Sequence, residues 1–158
     1  MMMKTFPEFP DPSDHEKLIL TNTSEDPIPV NKKTLKWLMA EIETAESIQF
    51  YTVELVYVDE DEIIEINSEY LQRGYITDII SFRYDENNKD AIEGTLYCCA
   101  PRIREQSIEF NTPPAEEFYR IYIHGLLHLA GYNDQTKSDK ESMTNLENIF
   151  LKAIKSSL

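Results

Sequence analysis

Cysteine is nearly absent from this chain: Cys98 and Cys99 are the two it has, and they are sequence neighbours. Adjacent cysteines are too constrained to staple distant parts of a fold. Zinc sites usually space their ligands by two or more residues, so the pair reads as reduced thiols on a cytosolic strand. Positive charge is also short. Fifteen Lys and Arg face 29 Asp and Glu, and the net charge of -14 opposes non-specific attraction to a polyanion. Any nucleic-acid role must therefore rest on a local basic patch. No apolar run approaches the roughly 20 residues needed to cross a bilayer, and the start, MMMKTFPEFPDPSDHEK, has no long apolar stretch after its lysine. It does not read as a secretory signal, and the expectation is a cytoplasmic protein with no membrane partner.

What is present suits one soluble domain. A chain of 158 residues buries about two thirds of the surface its unfolded form exposes, so neither a disulfide nor a metal is required merely to fold it. Residues 1 to 16, with Pro7, Pro10 and Pro12, read as an irregular N-terminal arm, and Leu18 to Leu20 as a first strand. Asn31 offers a cap to a helix whose inward face is Leu35, Leu38, Met39, Ile42 and Ala45, with Trp37 packing on it. The aromatic and β-branched stretch Phe50 to Val58 is a strand signal. Asp59 or Asp61 caps a second helix carrying Ile63, Ile66 and Tyr70, which stops near Gly74. Ile79 to Phe82 and Leu96 to Cys99 supply two more strands, joined by the polar segment Asp85 to Asp90.

Pro101 opens a short helix through Arg102, Arg104 and Ile108. Thr112, Pro113, Pro114, Glu116 and Glu117 form a further helix start, because proline tolerates the first turn and carboxylates favour it. Gly131 ends that helix. Ser138 with Glu141 reads as the capping box of a last helix whose inward face is Met143, Leu146, Ile149, Phe150 and Ile154. The order of elements predicts one compact α+β domain over residues 1–158, with a mixed sheet of about four strands packed against helices.

The chemistry concentrates in IYIHGLLHLAGYND. His124 and His128 are four apart, so on a helix they point within about 40° of each other and can share one ion. A turn at Gly131 folds Asp134 back toward them. Two nitrogens and one carboxylate oxygen suit zinc, and three protein ligands leave a fourth position for water, as in catalytic sites. An isolated H-x-x-x-H is as readily a pair of ordinary helical histidines. Here the chain has only three histidines, two of them at ligand spacing and followed by a glycine turn and a carboxylate. His15, in the arm, reads as solvated. The glutamate base of H-E-x-x-H metallopeptidases is absent, because position 125 is glycine. That glycine is expected to leave room beside the metal for a bulky substrate.

HGLLHLAGY resembles the H-G-x-L-H-L-x-G-Y-D-H signature of the YbeY family of bacterial rRNA maturation endoribonucleases. Thr77 to Phe82, TDIISF, is similar to the family's T-D-V-L-S-F, and Gly94 with Arg102, Arg104 and Glu105 resembles its G-D-I stretch and the helix after it. The chain departs from the pattern at three points. Asn133 and Asp134 stand where the signature ends D-H, so a carboxylate replaces the third imidazole. Leu71 stands where the family often has arginine, with Arg73 two residues on, and Thr95 where aspartate is common.

The resemblance implies one zinc ion per chain on His124, His128 and Asp134. It also implies a single-strand-specific endoribonuclease acting on ribosomal RNA, at the 16S 3' end and in ribosome quality control, with small-subunit ribosomal proteins as partners. Arg73, Arg102 and Arg104 are candidates for phosphate contact, although each alone is as readily a surface charge paired with a glutamate. Asp78 is a candidate to orient a ligand histidine, or else a turn residue. Two other functions fit the same residues: a non-catalytic ribosome-assembly factor with a structural metal, and a zinc hydrolase of another substrate class.

Overall fold

The computed structural model describes residues 15–72, 74–85 and 87–157. Arg73 and the arm before His15 lie outside them. The described residues form a single domain of four strands and five helices, in the order β1 (Leu18–Asn22), α1 (Lys32–Glu46), β2 (Phe50–Val58), α2 (Glu60–Leu71), β3 (Ile79–Arg83), β4 (Ile92–Cys99), α3 (Ala100–Glu109), α4 (Pro114–Leu129) and α5 (Lys137–Ser157). The sheet runs β1-β2-β4-β3. β1, β2 and β4 are parallel, and β3 is antiparallel to β4 at the edge. The mixed four-stranded sheet is the one expected from the sequence.

Alternation along the strands divides the sheet into two unequal faces. Val53, Leu55, Tyr57, Leu96 and Cys98 point to one face, where they merge with buried residues of α1, α3, α4 and α5 into the main core. Val58, Ile80 and Cys99 point to the other, where Ile63 of α2 completes a small second cluster. Cys98 and Cys99 thus sit on opposite faces, both buried and both free thiols.

Helix α4 lies on the main face, and two glycine contacts set its height. A Cβ on Gly125 would meet Ile79 Cδ1 at 2.7 Å and Leu96 Cδ1 at 2.9 Å, and one on Gly94 would meet the Phe82 carbonyl at 2.4 Å and Leu129 Cδ2 at 2.7 Å. These close approaches press the C-terminal half of α4 against β3 and β4. Gly125 is therefore a packing residue turned toward the sheet, and not the space beside the metal that the sequence suggested.

Several local expectations shift. Ala45 is exposed, and the inward face of α1 takes Glu43 instead, which accepts hydrogen bonds from Lys17 Nζ at 2.6 Å and the Phe50 amide at 2.8 Å. Asp59 caps α2 in a capping box with Glu62, and the helix ends at Gln72 in the left-handed region, two residues before Gly74. Thr112 does not cap α4: its hydroxyl is buried without a partner, and Pro113 takes the cap position. α5 starts one residue before Ser138, and the reciprocal bonds run between Thr136 and Asp139 rather than Ser138 and Glu141. Ile149 is 59% exposed and belongs to the outer face of α5. His15 is held as well as exposed, stacking on Tyr51 at 4.0 Å and bonding the Tyr51 carbonyl at 2.8 Å.

Candidate metal centre

His124 and His128 lie one turn apart on α4, on the half-buried face toward α5 and the 131–136 loop. Gly131, at φ 109°, makes the turn that the left-handed region permits and a side chain resists. The chain then folds back, and Asp134 Oδ2 comes to 3.4 Å from His124 Nε2 and 3.5 Å from His128 Nε2. The two Nε2 atoms are 3.0 Å apart. All three residues expected as ligands are thus brought to one point, and they form a group able to hold a metal ion.

The rings are locked by their other nitrogens. His124 Nδ1 lies 2.7 Å from Glu147 Oε2 on α5, and His128 Nδ1 lies 2.9 Å from the Tyr132 carbonyl. Both partners are acceptors, so each neutral ring carries its hydrogen on Nδ1 and turns the Nε2 lone pair inward. Glu147 is buried and is itself held by Arg120 Nη1 at 3.0 Å, while Arg120 Nη2 donates to Asn148 at 2.7 Å. Two lone pairs and a carboxylate oxygen facing one another are mutually repulsive unless a cation lies among them. A tetrahedral ion about 2.0–2.1 Å from each donor separates the donors by about 3.3 Å, close to the spacing here. The residues present fit such an ion.

Charge around the centre is predominantly negative. Burial favours the neutral form of His124, but the Glu147 hydrogen bond and charge, with Asp134 and Asp78, outweigh it and raise its pKa. Asp78 accepts from Gln106 Nε2 at 3.2 Å, and the same nitrogen lies 3.3 Å from Glu117 Oε2. Burial raises the Glu117 pKa. Asp78 thus acts on His124 through its charge, with its own oxygens engaged by Gln106 and Thr77.

His128 also borders a cleft of about 580 Å³ along β3, lined with it by Leu71, Ser81, Arg83 and Gly131. Arg83 was not singled out in the sequence. Its Nη1 donates to the Leu129 carbonyl at 2.9 Å, and Nε and Nη2 reach the carbonyls of Asp85 and Asn88. The candidate arginines on α3 lie elsewhere. Arg102 is paired with Glu105 and Glu109, and Arg104 donates to the Pro27 carbonyl and covers the Phe118 ring, 5.6 Å from its centroid. Neither lines the cleft.

With this geometry in place, comparison with known proteins is decisive. Residues 19–155 match the family model described as Endoribonuclease YbeY. The chain belongs to that family. It is 37% identical over 117 residues to the protein named Endoribonuclease YbeY of Bacteroides fragilis, covering 74% of this chain and 82% of that one. The protein of the same name from Parabacteroides distasonis is 37% identical over 120 residues, 75% of this chain and 82% of the relative. A solution structure from Thermotoga maritima shares the fold at a TM-score of 0.57 and 23% identity, covering 89% of this chain and 90% of the other.

Of the functional groups, sequence reasoning missed Glu147 and Arg83. Glu147 carried a signal: it lies four residues after Met143 and three before Phe150, a carboxylate on the inward face of α5. Arg83 carried none.

Proposed function

We propose that this protein is a zinc-dependent endoribonuclease that cuts single-stranded RNA during maturation of ribosomal RNA, at the 3' end of 16S rRNA, and in ribosome quality control in the cytoplasm. The observation that carries this reading is the convergence of His124 Nε2, His128 Nε2 and Asp134 Oδ2 on one point, with His128 also lining an open cleft. Family membership supports it. A zinc ion held there supplies Lewis-acid polarisation of a phosphate oxygen.

The chain's own residues do the rest. Two neutral imidazoles and one carboxylate leave a divalent ion with a net positive charge, which favours a phosphate over a neutral substrate. Glu147 and the Tyr132 carbonyl fix the ring orientations before the metal or substrate arrives, so little reorganisation is needed on binding. Arg83, which lines the same cleft as His128, adds a charge held by the carbonyls of Asp85, Asn88 and Leu129. Gly125 removes the base of the metallopeptidases, and its position faces the sheet.

The test is metal analysis of purified protein before and after chelation, alongside cleavage of a short single-stranded RNA and its duplex. Cleavage of the single strand that disappears with the chelator and returns with zinc is expected. A folded, metal-loaded protein that cuts no RNA yet binds ribosomal particles supports instead the assembly-factor role, with ribosomal proteins as partners.

A further inference from the structure

The cleft that His128 borders runs along β3, with Ile79 from the main face and Ile80 and Leu71 from the other in its lining, and that other face is covered by α2 only in part. Beyond α2 that face presents rings. Phe82 of β3 stands edge-on to Tyr97 of β4 at 6.0 Å and to Tyr70 of α2 at 5.4 Å. Tyr70 and Tyr84 are each 61% exposed. The Tyr84 hydroxyl is bonded to the buried Thr95 hydroxyl, which pins that ring beside the others. Together they border a hollow of about 240 Å³ whose lining, among the described residues, is four aromatic rings and Arg83. In a chain of net charge -14 such a surface is the kind a polyanion tolerates.

Arg83 borders this hollow and the metal cleft alike. It is the last residue of β3, the edge strand, so the two openings meet around one end of an uncovered edge. Phe82 and Arg83 are neighbours on that strand and point to opposite faces. Among the described residues, the guanidinium's contacts go to the uncharged carbonyls of Asp85, Asn88 and Leu129, which hold it in place.

We propose that the rings of Tyr70, Phe82, Tyr84 and Tyr97 form a base-stacking subsite for unpaired nucleotides flanking the scissile phosphate. The RNA backbone passes the β3 edge at Arg83 into the metal cleft. This deepens the endoribonuclease reading and rests on it. Each base has a ring face and each step a phosphate, so rings beside a fixed cation suit single-stranded RNA without a strong sequence preference. A duplex, whose bases are stacked on one another, cannot offer them to the hollow.

The test uses the full-length, metal-loaded protein. Binding of a fluorescent single-stranded oligoribonucleotide is compared with that of an equally long chain in which abasic ribose units replace the nucleotides on either side of the cleavage point. Wild type is expected to prefer the base-bearing strand. Tyr70→Ala and Tyr84→Ala, at exposed positions, are expected to weaken its binding about five- to a hundred-fold and to erase most of the preference, while Tyr70→Phe keeps both. Arg83→Gln is expected to weaken both strands and lower the salt slope by about one, whereas Arg102→Ala and Arg104→Ala leave it unchanged.

Equal binding by wild type and the Tyr70 and Tyr84 variants, with cleavage intact in all, overturns the subsite but leaves the nuclease standing. The face is then open to a protein partner. Equal affinity of wild type for both strands overturns it too. A metal-loaded wild type that neither binds nor cuts RNA removes both proposals together.

Discussion

The two faces of the sheet differ in how completely their groups are satisfied. On the side that carries α4 and α5, histidine, carboxylate and arginine lock one another: Arg120 holds Glu147, Glu147 holds His124, and the Tyr132 carbonyl holds His128. On the other face, α2 covers one end and leaves exposed rings. A centre that must present three donors to one ion needs the first kind of surface, because a misplaced donor forfeits coordination. A surface that meets flexible substrate is served by the second, where rings offer area at little ordering cost.

The sharpest break in that comparison is removal of a ligand. His128→Ala leaves two donors and should yield nearly metal-free protein that still unfolds cooperatively, since the main core does not pass through the imidazole. Metal content by mass spectrometry, with circular dichroism for the fold, checks both halves. Loss of fold on losing the metal would mean that the ion is structural.

Next in size is the support behind the ligand. Glu147→Gln should lower metal affinity by about 10- to 100-fold, because the carboxylate that orients His124 and raises its basicity is lost. A competition titration against a chromophoric chelator measures it. Unchanged affinity would demote Glu147 to a partner of Arg120 alone.

Gly125→Ala probes the height of α4 over the sheet. The added methyl meets Ile79 and Leu96 below 3.0 Å, so urea unfolding should show a loss of about 1–3 kcal/mol. No change in the midpoint would mean that α4 has slack against β3 and β4.

Much of the centre was legible because its geometry is local. Four-residue spacing on a helix, a glycine able to reverse the chain and a carboxylate three residues later are all sequence facts, and Asp134 follows from them. Gly125 was misread for a related reason. It is one residue from a ligand yet about 100° round the helix, and which side meets the sheet depends on α4 as a whole. Glu147 and Arg83 reach the site across 23 and 46 residues of sequence, to His124 and Leu129 respectively, and no short pattern encodes such an approach. The four-strand sheet was readable from alternation, while the antiparallel setting of β3 depends on tertiary packing. The start of α5 shifted because Thr136 and Ser138 each offered a plausible hydroxyl cap, and that of α4 because Pro113 takes the cap position with no side-chain bond.

The smallest expected effect concerns the thiols. Burial pushes Cys98 well above its ordinary range and Cys99 up to about 11, so neither is a thiolate at neutral pH. A thiol reagent should label native protein slowly and unfolded protein at once, and a Cys98→Ser, Cys99→Ser double variant should keep its metal. Rapid native labelling would show that the faces open more readily than their burial implies.

The most direct test of the central claim is metal stoichiometry across three proteins purified alike: wild type, Asp134→Ala and Asp134→His. One ion per chain is expected in wild type, a sharp loss in Asp134→Ala, and occupancy at least as high as wild type in Asp134→His, where a third imidazole nitrogen replaces the oxygen. Full occupancy in Asp134→Ala would remove Asp134 from the ligand set and contradict the three-donor centre.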